Sequence, residues 1–288
     1  MDLPMGIVFG LLAMIGFGFS TAVAQVPVKS LGTLRVVFFR GIFASSMLFL
    51  GVLFFWGECV FSPAYILLAL AISLVGYVGL VMFYKALKVG HIGVVTPIAN
   101  SSVVFTVLFS VLFFAESLGF VQVFSIALIV SGIVLISVDF RHLRNSCIFD
   151  KSSGVVYALA TCLLWGGAFF LFKIPASVLG PILSSFVIEA GNMIYSGMSI
   201  KFSGKGFDFP CTKNMKYIFF VALFGALGIL AFNYGVGVAD VSIVAALTFA
   251  NPLVAAVYAR VVYKEKLSGL QYFAMGLILL GIVLISYF

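Results

Sequence analysis

Apolar residues in this chain run in long unbroken stretches instead of recurring on one face of a helix or alternating along a strand. A membrane-spanning helix needs about 20 predominantly apolar residues. By that measure the pattern predicts ten helices, over residues 5–24, 33–55, 64–86, 92–114, 119–138, 154–173, 180–200, 216–237, 241–262 and 268–287. The interruptions fall at Pro27, Pro63, Gly90, Glu116, the run 139–151, Pro175, the run 201–216, Asp240 and Lys264-Glu265-Lys266. Little is left over for a soluble domain, so the expectation is an all-α membrane protein. Ala22-Val23-Ala24 resembles a signal-peptidase site, but a signal peptide wants a basic start. Residues 1–6 carry only Asp2, so the first helix is expected to be retained.

Composition strengthens the membrane reading. The chain is 64% hydrophobic and 9% charged, where soluble domains hold about 45–50% and about 25%. The 33 Phe supply bulk for lipid and the 29 Gly permit close helix contact. A formal charge of +7 would suggest nucleic acid in a soluble protein; here the basic residues mark cytoplasmic connections, and no nucleic-acid partner is expected. Lys29, Lys85, Lys88, Arg141, Arg144, Lys151, Lys201, Lys205, Lys213, Lys216, Arg260, Lys264 and Lys266 all lie in or beside the connections after odd-numbered predicted helices, whereas the opposite side holds Lys173. The positive-inside rule then puts both termini outside the cytoplasm, and the expected location is a bacterial inner (plasma) membrane.

Some chemistries have no sequence support. Cys59, Cys147, Cys162 and Cys211 are scattered without a CxxC pair and read as free thiols. No phosphate-binding GxxxxGKS/T loop is present. His91 and His142 lie in connections, so no metal site is expected. Nor can a Ser/His/Asp set be assembled, and neither a cofactor nor an enzymatic activity is anticipated.

Comparing the chain with itself is more informative. Shifted by 149 positions, Phe83–Ser137 lies on Phe232–Ser286; Glu116, Leu118, Gln122 and Phe124 fall on Glu265, Leu267, Gln271 and Phe273. The run Gly132–Ser137 falls on Gly281–Ser286. A shift of 148 brings Gly6, Gly18, Pro27 and Gly32 onto Gly154, Gly166, Pro175 and Gly180. The chain therefore divides into a first five-helix repeat (1–138), a basic connection (139–153) and a second five-helix repeat (154–288). With five helices per repeat, the second enters the membrane from the opposite side. Inverted repeats of this kind recur in transporters that hold substrate at the midplane between the halves.

The second half resembles the repeat of the drug/metabolite transporter superfamily, in its ten-helix EamA branch. Trp165-Gly166-Gly167-Ala168-Phe169 with Lys173 is similar to that family's opening, and Asn251-Pro252, Glu265-Lys266-Leu267, Gln271, Gly276 and Gly281 are similar to its ending. In the first half the ending persists as Glu116, Leu118, Gln122 and Gly132, while Phe17 and Gln25 replace the Trp and Lys of the opening. Arg40, or less well Arg35, resembles an arginine common in the second helix of each repeat; the second half has Glu189 in that region. The resemblance implies a secondary transporter of small metabolites and leaves the substrate open.

Charge at a helix centre costs about 2.5–3.5 kcal/mol on insertion scales, which singles out Glu189 and Arg40. Burial should raise the Glu189 pKa towards the physiological range, so it can carry a coupling proton or bind a substrate cation; alternatively it is one half of a structural ion pair. The Arg40 guanidinium can grip a carboxylate or phosphate in a bidentate fork, or simply pair with Glu189. Facing one cavity, the two would suit a zwitterion such as an amino acid or S-adenosylmethionine. Asn100 and Asn251, beside Pro97 and Pro252, and the aromatic residues Trp165 and Tyr77 complete the candidate substrate-binding set. Lys173 reads as an interface anchor or an anion contact, and Glu116 and Glu265 as symmetry-related caps or ion-pair partners. A lipid-modifying enzyme would want an interfacial cluster of Asp, His or Lys that the chain lacks. Two alternatives remain: transport of anionic metabolites on Arg40, and a non-transporting subunit of a lipid-linked sugar flippase. A monomer could suffice, as could a homodimer.

Overall fold

A computed structural model describes residues 2–90, 92–137, 154–204, 206, 209–262, 264 and 267–287. Its α-helices are α1 (Leu3–Leu31), α2 (Thr33–Phe54), α3 (Pro63–Val89), α4 (Ile92–Asn100), α5 (Ser102–Phe114), α6 (Phe120–Ser137), α7 (Val155–Leu171), α8 (Lys173–Leu179), α9 (Pro181–Phe202), α10 (Thr212–Val238), α11 (Val241–Phe249), α12 (Pro252–Val262) and α13 (Gly269–Tyr287). Among the described residues there is no strand. Eight stretches of the described residues are long and apolar enough to cross a membrane, and Phe120–Ile136 is a shorter apolar helix. Helix α9, with 22 residues, is long enough but more polar, because it buries Ser184, Ser185, Glu189, Asn192 and Ser196.

The predicted helices needed three kinds of correction. Pro27 does not end the first one; α1 runs through it to Leu31, since neighbouring helices can support a proline inside a membrane helix. Pro175 is not a break either, lying in the first turn of α8, where its missing N–H costs nothing. Finally, two predicted continuous helices are interrupted, at Ser101 between α4 and α5 and at Ala250-Asn251 between α11 and α12, while the helix predicted over 154–173 closes at Leu171 and the short α8 follows it. The turns from α1 into α2 and from α8 into α9 pivot on Gly32 and Gly180, whose φ of +84° and +85° few residues but glycine adopt.

The duplication seen in the sequence reappears in local detail. At the start of α6 the Gly119 N–H donates to Gln122 Oε1 at 2.9 Å, and at the start of α13 the Ser268 N–H donates to Gln271 Oε1 at 2.9 Å. In the second case the Gln271 N–H returns a bond to Ser268 Oγ at 3.3 Å, completing a capping box. The two helices so started pack on each other. A Cβ on Gly132 would lie 2.8 Å from the Ala274 carbonyl oxygen, and one on Gly281 would lie 2.7 Å from that of Ser125. Glycine at both positions lets the backbones touch, the usual way membrane helices gain packing energy.

The same exchange relates the interior helices. Helix α1 lies along α10 and α11, while α7 lies along α3, α4 and α5; α2 lies on α9. Gly18 on α1 faces the Asn251 carbonyl oxygen and Val254, just past the α11 interruption, and Gly166 on α7 faces the Ser102 carbonyl oxygen and Phe105, just past the α4 interruption. Every residue of α11 is buried. It is apolar all round because protein surrounds it, and it carries the site's second helix break into the centre of the molecule.

Candidate functional site

The two interrupted helices cross where both have lost their regular hydrogen bonding. Pro252 cannot donate to the Thr248 carbonyl, and the Asn251 amide takes over, donating from Nδ2 to that oxygen at 3.2 Å. The same Nδ2 donates to Asn100 Oδ1 at 2.8 Å, and Asn100 Nδ2 donates to the Thr96 carbonyl at 2.7 Å. A chain of amides thus joins α11 to α4 through two nearly inaccessible side chains, Asn100 at 2% and Asn251 at 5% exposure.

Beside this crossing is a cavity of about 90 Å³. Its polar lining comprises Ser20, Thr21, Arg40, Asn100, Glu189, Asn192 and Asn251, and its aromatic lining Phe17, Phe83, Tyr84, Trp165, Phe169, Phe172 and Phe249. Arg40 and Glu189 meet in its wall as a fork: Nη1 donates to Oε2 at 3.0 Å and Nη2 to Oε1 at 2.6 Å. The two residues are 149 positions apart, one more than the 148 that relates Gly32 and Gly180 at the starts of α2 and α9. Neighbouring, closely corresponding positions on α2 and α9 therefore carry opposite charges and meet. Gly225 on α10 makes room for the fork, since a Cβ there would sit 2.8 Å from Arg40 Nη2.

Five of the six residues singled out from the sequence line this cavity: Arg40, Glu189, Asn100, Asn251 and Trp165. Trp165 packs on Phe83 and Phe169, and its indole N–H donates to the Gly76 carbonyl at 3.4 Å. Tyr77 is not among the lining residues; its hydroxyl lies 2.7 Å from Ser199 Oγ, tying α3 to α9. Tyr84, two turns further along α3, lines the cavity instead. A seven-residue step returns to nearly the same face of a helix, so the pattern gave the face correctly and the depth wrongly. Asn192 was missed, although it lies one turn from Glu189 and its Nδ2 donates to Glu189 Oε2 at 3.4 Å. A polar residue at i+3 from a buried carboxylate was the available signal.

Glu116 is both a cap and an ion-pair partner, as the sequence suggested, but for elements other than its own. It accepts the Val241 N–H at 2.8 Å, the Ser242 N–H at 3.0 Å and the Ser242 hydroxyl at 2.6 Å, closing the N-terminus of α11. Lys173 Nζ meets it at 3.2 Å and lies over the Phe114 ring. Glu265, its counterpart, lies outside the described residues. Asp240, immediately before α11, has its carboxyl pKa held above the usual value by burial and by the Glu116 charge, with Lys173 acting against both. Cys59, Cys162 and Cys211 are free thiols, and Cys147 lies outside the described residues. Among the described residues no group of His, Cys, Asp and Glu could hold a metal ion.

Comparison with known proteins agrees with the architecture. No curated protein sequence matches the chain. A solved crystal structure, described only as that of a protein, superposes with a TM-score of 0.77 at 17% identity, covering 98% of each chain; at that identity the likeness is one of fold. The model of the EamA-like transporter family matches twice, over residues 4–138 and 152–287. The chain is a multi-pass membrane protein that belongs to the EamA-like transporter family.

Proposed function

We propose that this protein is a secondary active transporter of a small zwitterion, such as an amino acid or S-adenosylmethionine. Ten spans in two inverted repeats alternate access to the cavity between them. The observation carrying this reading is the buried Arg40–Glu189 fork. Removing one partner of such a pair strands a charge in a poorly hydrated interior, at a cost of about 3–5 kcal/mol. A ligand with one charge could part the fork only by leaving the other residue stranded. A zwitterion brings a carboxylate for Arg40 and an ammonium for Glu189, so all four charges stay paired. A proton on Glu189 offers a second way to release Arg40, which makes protons the coupling ion in this reading.

The reciprocal packing of α1 with α10 and α11, and of α7 with α3, α4 and α5, supports the inverted repeat. Excess basic residues on the connections after odd-numbered spans support termini outside the cytoplasm and an inner-membrane location.

Counterflow tests the assignment. Proteoliposomes loaded with pooled unlabelled zwitterions are offered labelled amino acids or S-adenosylmethionine, beside Glu189→Gln and a charge-exchanged Arg40→Glu/Glu189→Arg protein. The expected result is accumulation of a labelled zwitterion by wild type and its loss in Glu189→Gln. Exchange of anions alone would move the assignment to an Arg40-gripped anion. No exchange of either class by monodisperse protein would favour a non-transporting subunit.

A further inference from the structure

Not every buried acceptor lining the cavity meets a donor. The Arg40 terminal nitrogens are engaged by Glu189, the Asn251 amide by Asn100 and the Thr248 carbonyl, the Asn100 amide by the Thr96 carbonyl, and the Trp165 indole by the Gly76 carbonyl. Two acceptors are left over: Asn192 Oδ1 and Asn251 Oδ1 are buried without a hydrogen-bond partner, on side chains 6% and 5% exposed. Turning either amide around would not help. Asn251 would then aim its oxygen at two other oxygens, and Asn192 would aim its oxygen at the Glu189 carboxylate. Buried acceptors are rarely left unpaired, and such a pair needs an explanation.

We infer that Asn192 and Asn251 are the specificity-determining acceptors for the substrate's amino group, and that the site selects a primary ammonium over a fully alkylated one. This rests on the zwitterion reading above and narrows it. The aromatic lining by itself would accept either, because cation–π attraction needs no N–H. A primary ammonium has three N–H donors, which match Asn192 Oδ1, Asn251 Oδ1 and a Glu189 oxygen freed when the fork opens. A trimethylated nitrogen has none and would leave both asparagine oxygens orphaned. Sites built to hydrogen-bond a substrate group reject the analogue lacking it far more strongly than apolar pockets reject a size change.

The test uses wild-type protein in proteoliposomes exchanging a labelled amino acid identified by counterflow. Competition is measured for the unlabelled parent, its N,N,N-trimethyl analogue and the deaminated acid. The expected result is competition by the parent, with the trimethyl analogue at least about tenfold weaker, the value of roughly one charge-assisted hydrogen bond. In the nearly isosteric Asn192→Leu protein that ratio should shrink while thermal stability without substrate changes little, since an orphaned acceptor goes together with the long Nδ2 bond to Glu189. A trimethyl analogue that competes as well as the parent overturns the inference while leaving the zwitterion reading standing. A preference that persists undiminished in Asn192→Leu marks a size effect and also overturns it. Failure of every zwitterion to exchange removes the earlier reading, and this inference with it.

Discussion

At the scale of single residues, the Arg40–Glu189 fork dominates both energetics and expected function. Each group is buried to about 5% exposure or less, so each depends on the other for its charge. Arg40→Gln and Glu189→Gln should each cost about 3–5 kcal/mol of stability, whereas Arg40→Leu/Glu189→Met should recover most of that loss without restoring transport. Unfolding in mixed detergent, followed with counterflow on the same preparations, checks both halves of this statement. Equal stability in all three variants would show that the pair is hydrated. Gly225→Ala addresses the fork's placement: its new methyl falls 2.8 Å from Arg40 Nη2. The backbone of α10 or the guanidinium must move, so we expect a tenfold or greater loss of transport with only about 1–3 kcal/mol of destabilisation, in line with other overpacked sites. The fork itself was legible in the sequence, because lone charges in apolar helices stand out. The positions of Tyr77 and Asn192 were less so: depth along a helix and the filling of a cavity depend on tertiary packing that no local pattern records.

At the scale of elements, the interrupted helices and their caps decide the shape of the site. Helix α11 is nine residues long and enclosed, and its N-terminal donors are satisfied from the α5–α6 connection by Glu116. Negative charge at a helix N-terminus is favourable in its own right, and here three donors and Lys173 converge on it. Glu116→Ala should therefore destabilise the fold by at least about 2 kcal/mol, and Lys173→Met by less, because Lys173 is partly exposed. Denaturant midpoints for the two proteins test that order. Asp240 supplies the pH dependence: its carboxyl pKa is raised in the folded protein by burial first and Glu116 second. The folded state thus holds the Asp240 proton more tightly than the unfolded chain does. Stability from this group is present below the ordinary carboxyl pKa and is lost as pH rises through the raised value. Asp240→Asn should raise the melting temperature at neutral pH and flatten its change on acidification; an unchanged acid-side slope would refute the assignment. Pro97 and Pro252 marked the neighbourhoods of the breaks in α4–α5 and α11–α12, although the apolar pattern read both as continuous helices; the partner that closes α11 was not legible, because a cap supplied from another part of the chain has no local spacing.

At the scale of the whole molecule, duplication is the organising fact. It was readable from matched Glu, Gln and Gly positions, and it is repeated in the two Gln-capped helix starts and in the glycine contacts between α6 and α13. What duplication leaves unsettled is which face of the membrane each connection meets, and that depends on the asymmetric placement of Lys and Arg. Two native cysteines make the prediction testable. Cys59 follows α2, and Cys211 precedes α10 at an exposed position. The positive-inside rule puts Cys59 outside and Cys211 in the cytoplasm. Proteins retaining one or the other, with the remaining cysteines replaced, can be treated in intact cells with a membrane-impermeant maleimide. Cys59 should react without permeabilisation and Cys211 only after it. Burial raises the Cys59 thiol pKa, and only the thiolate reacts, so its labelling should be slow near neutrality and accelerate at mildly alkaline pH. The reverse pattern of accessibility would invert the molecule in the membrane, and with it the face towards which Glu116 caps α11.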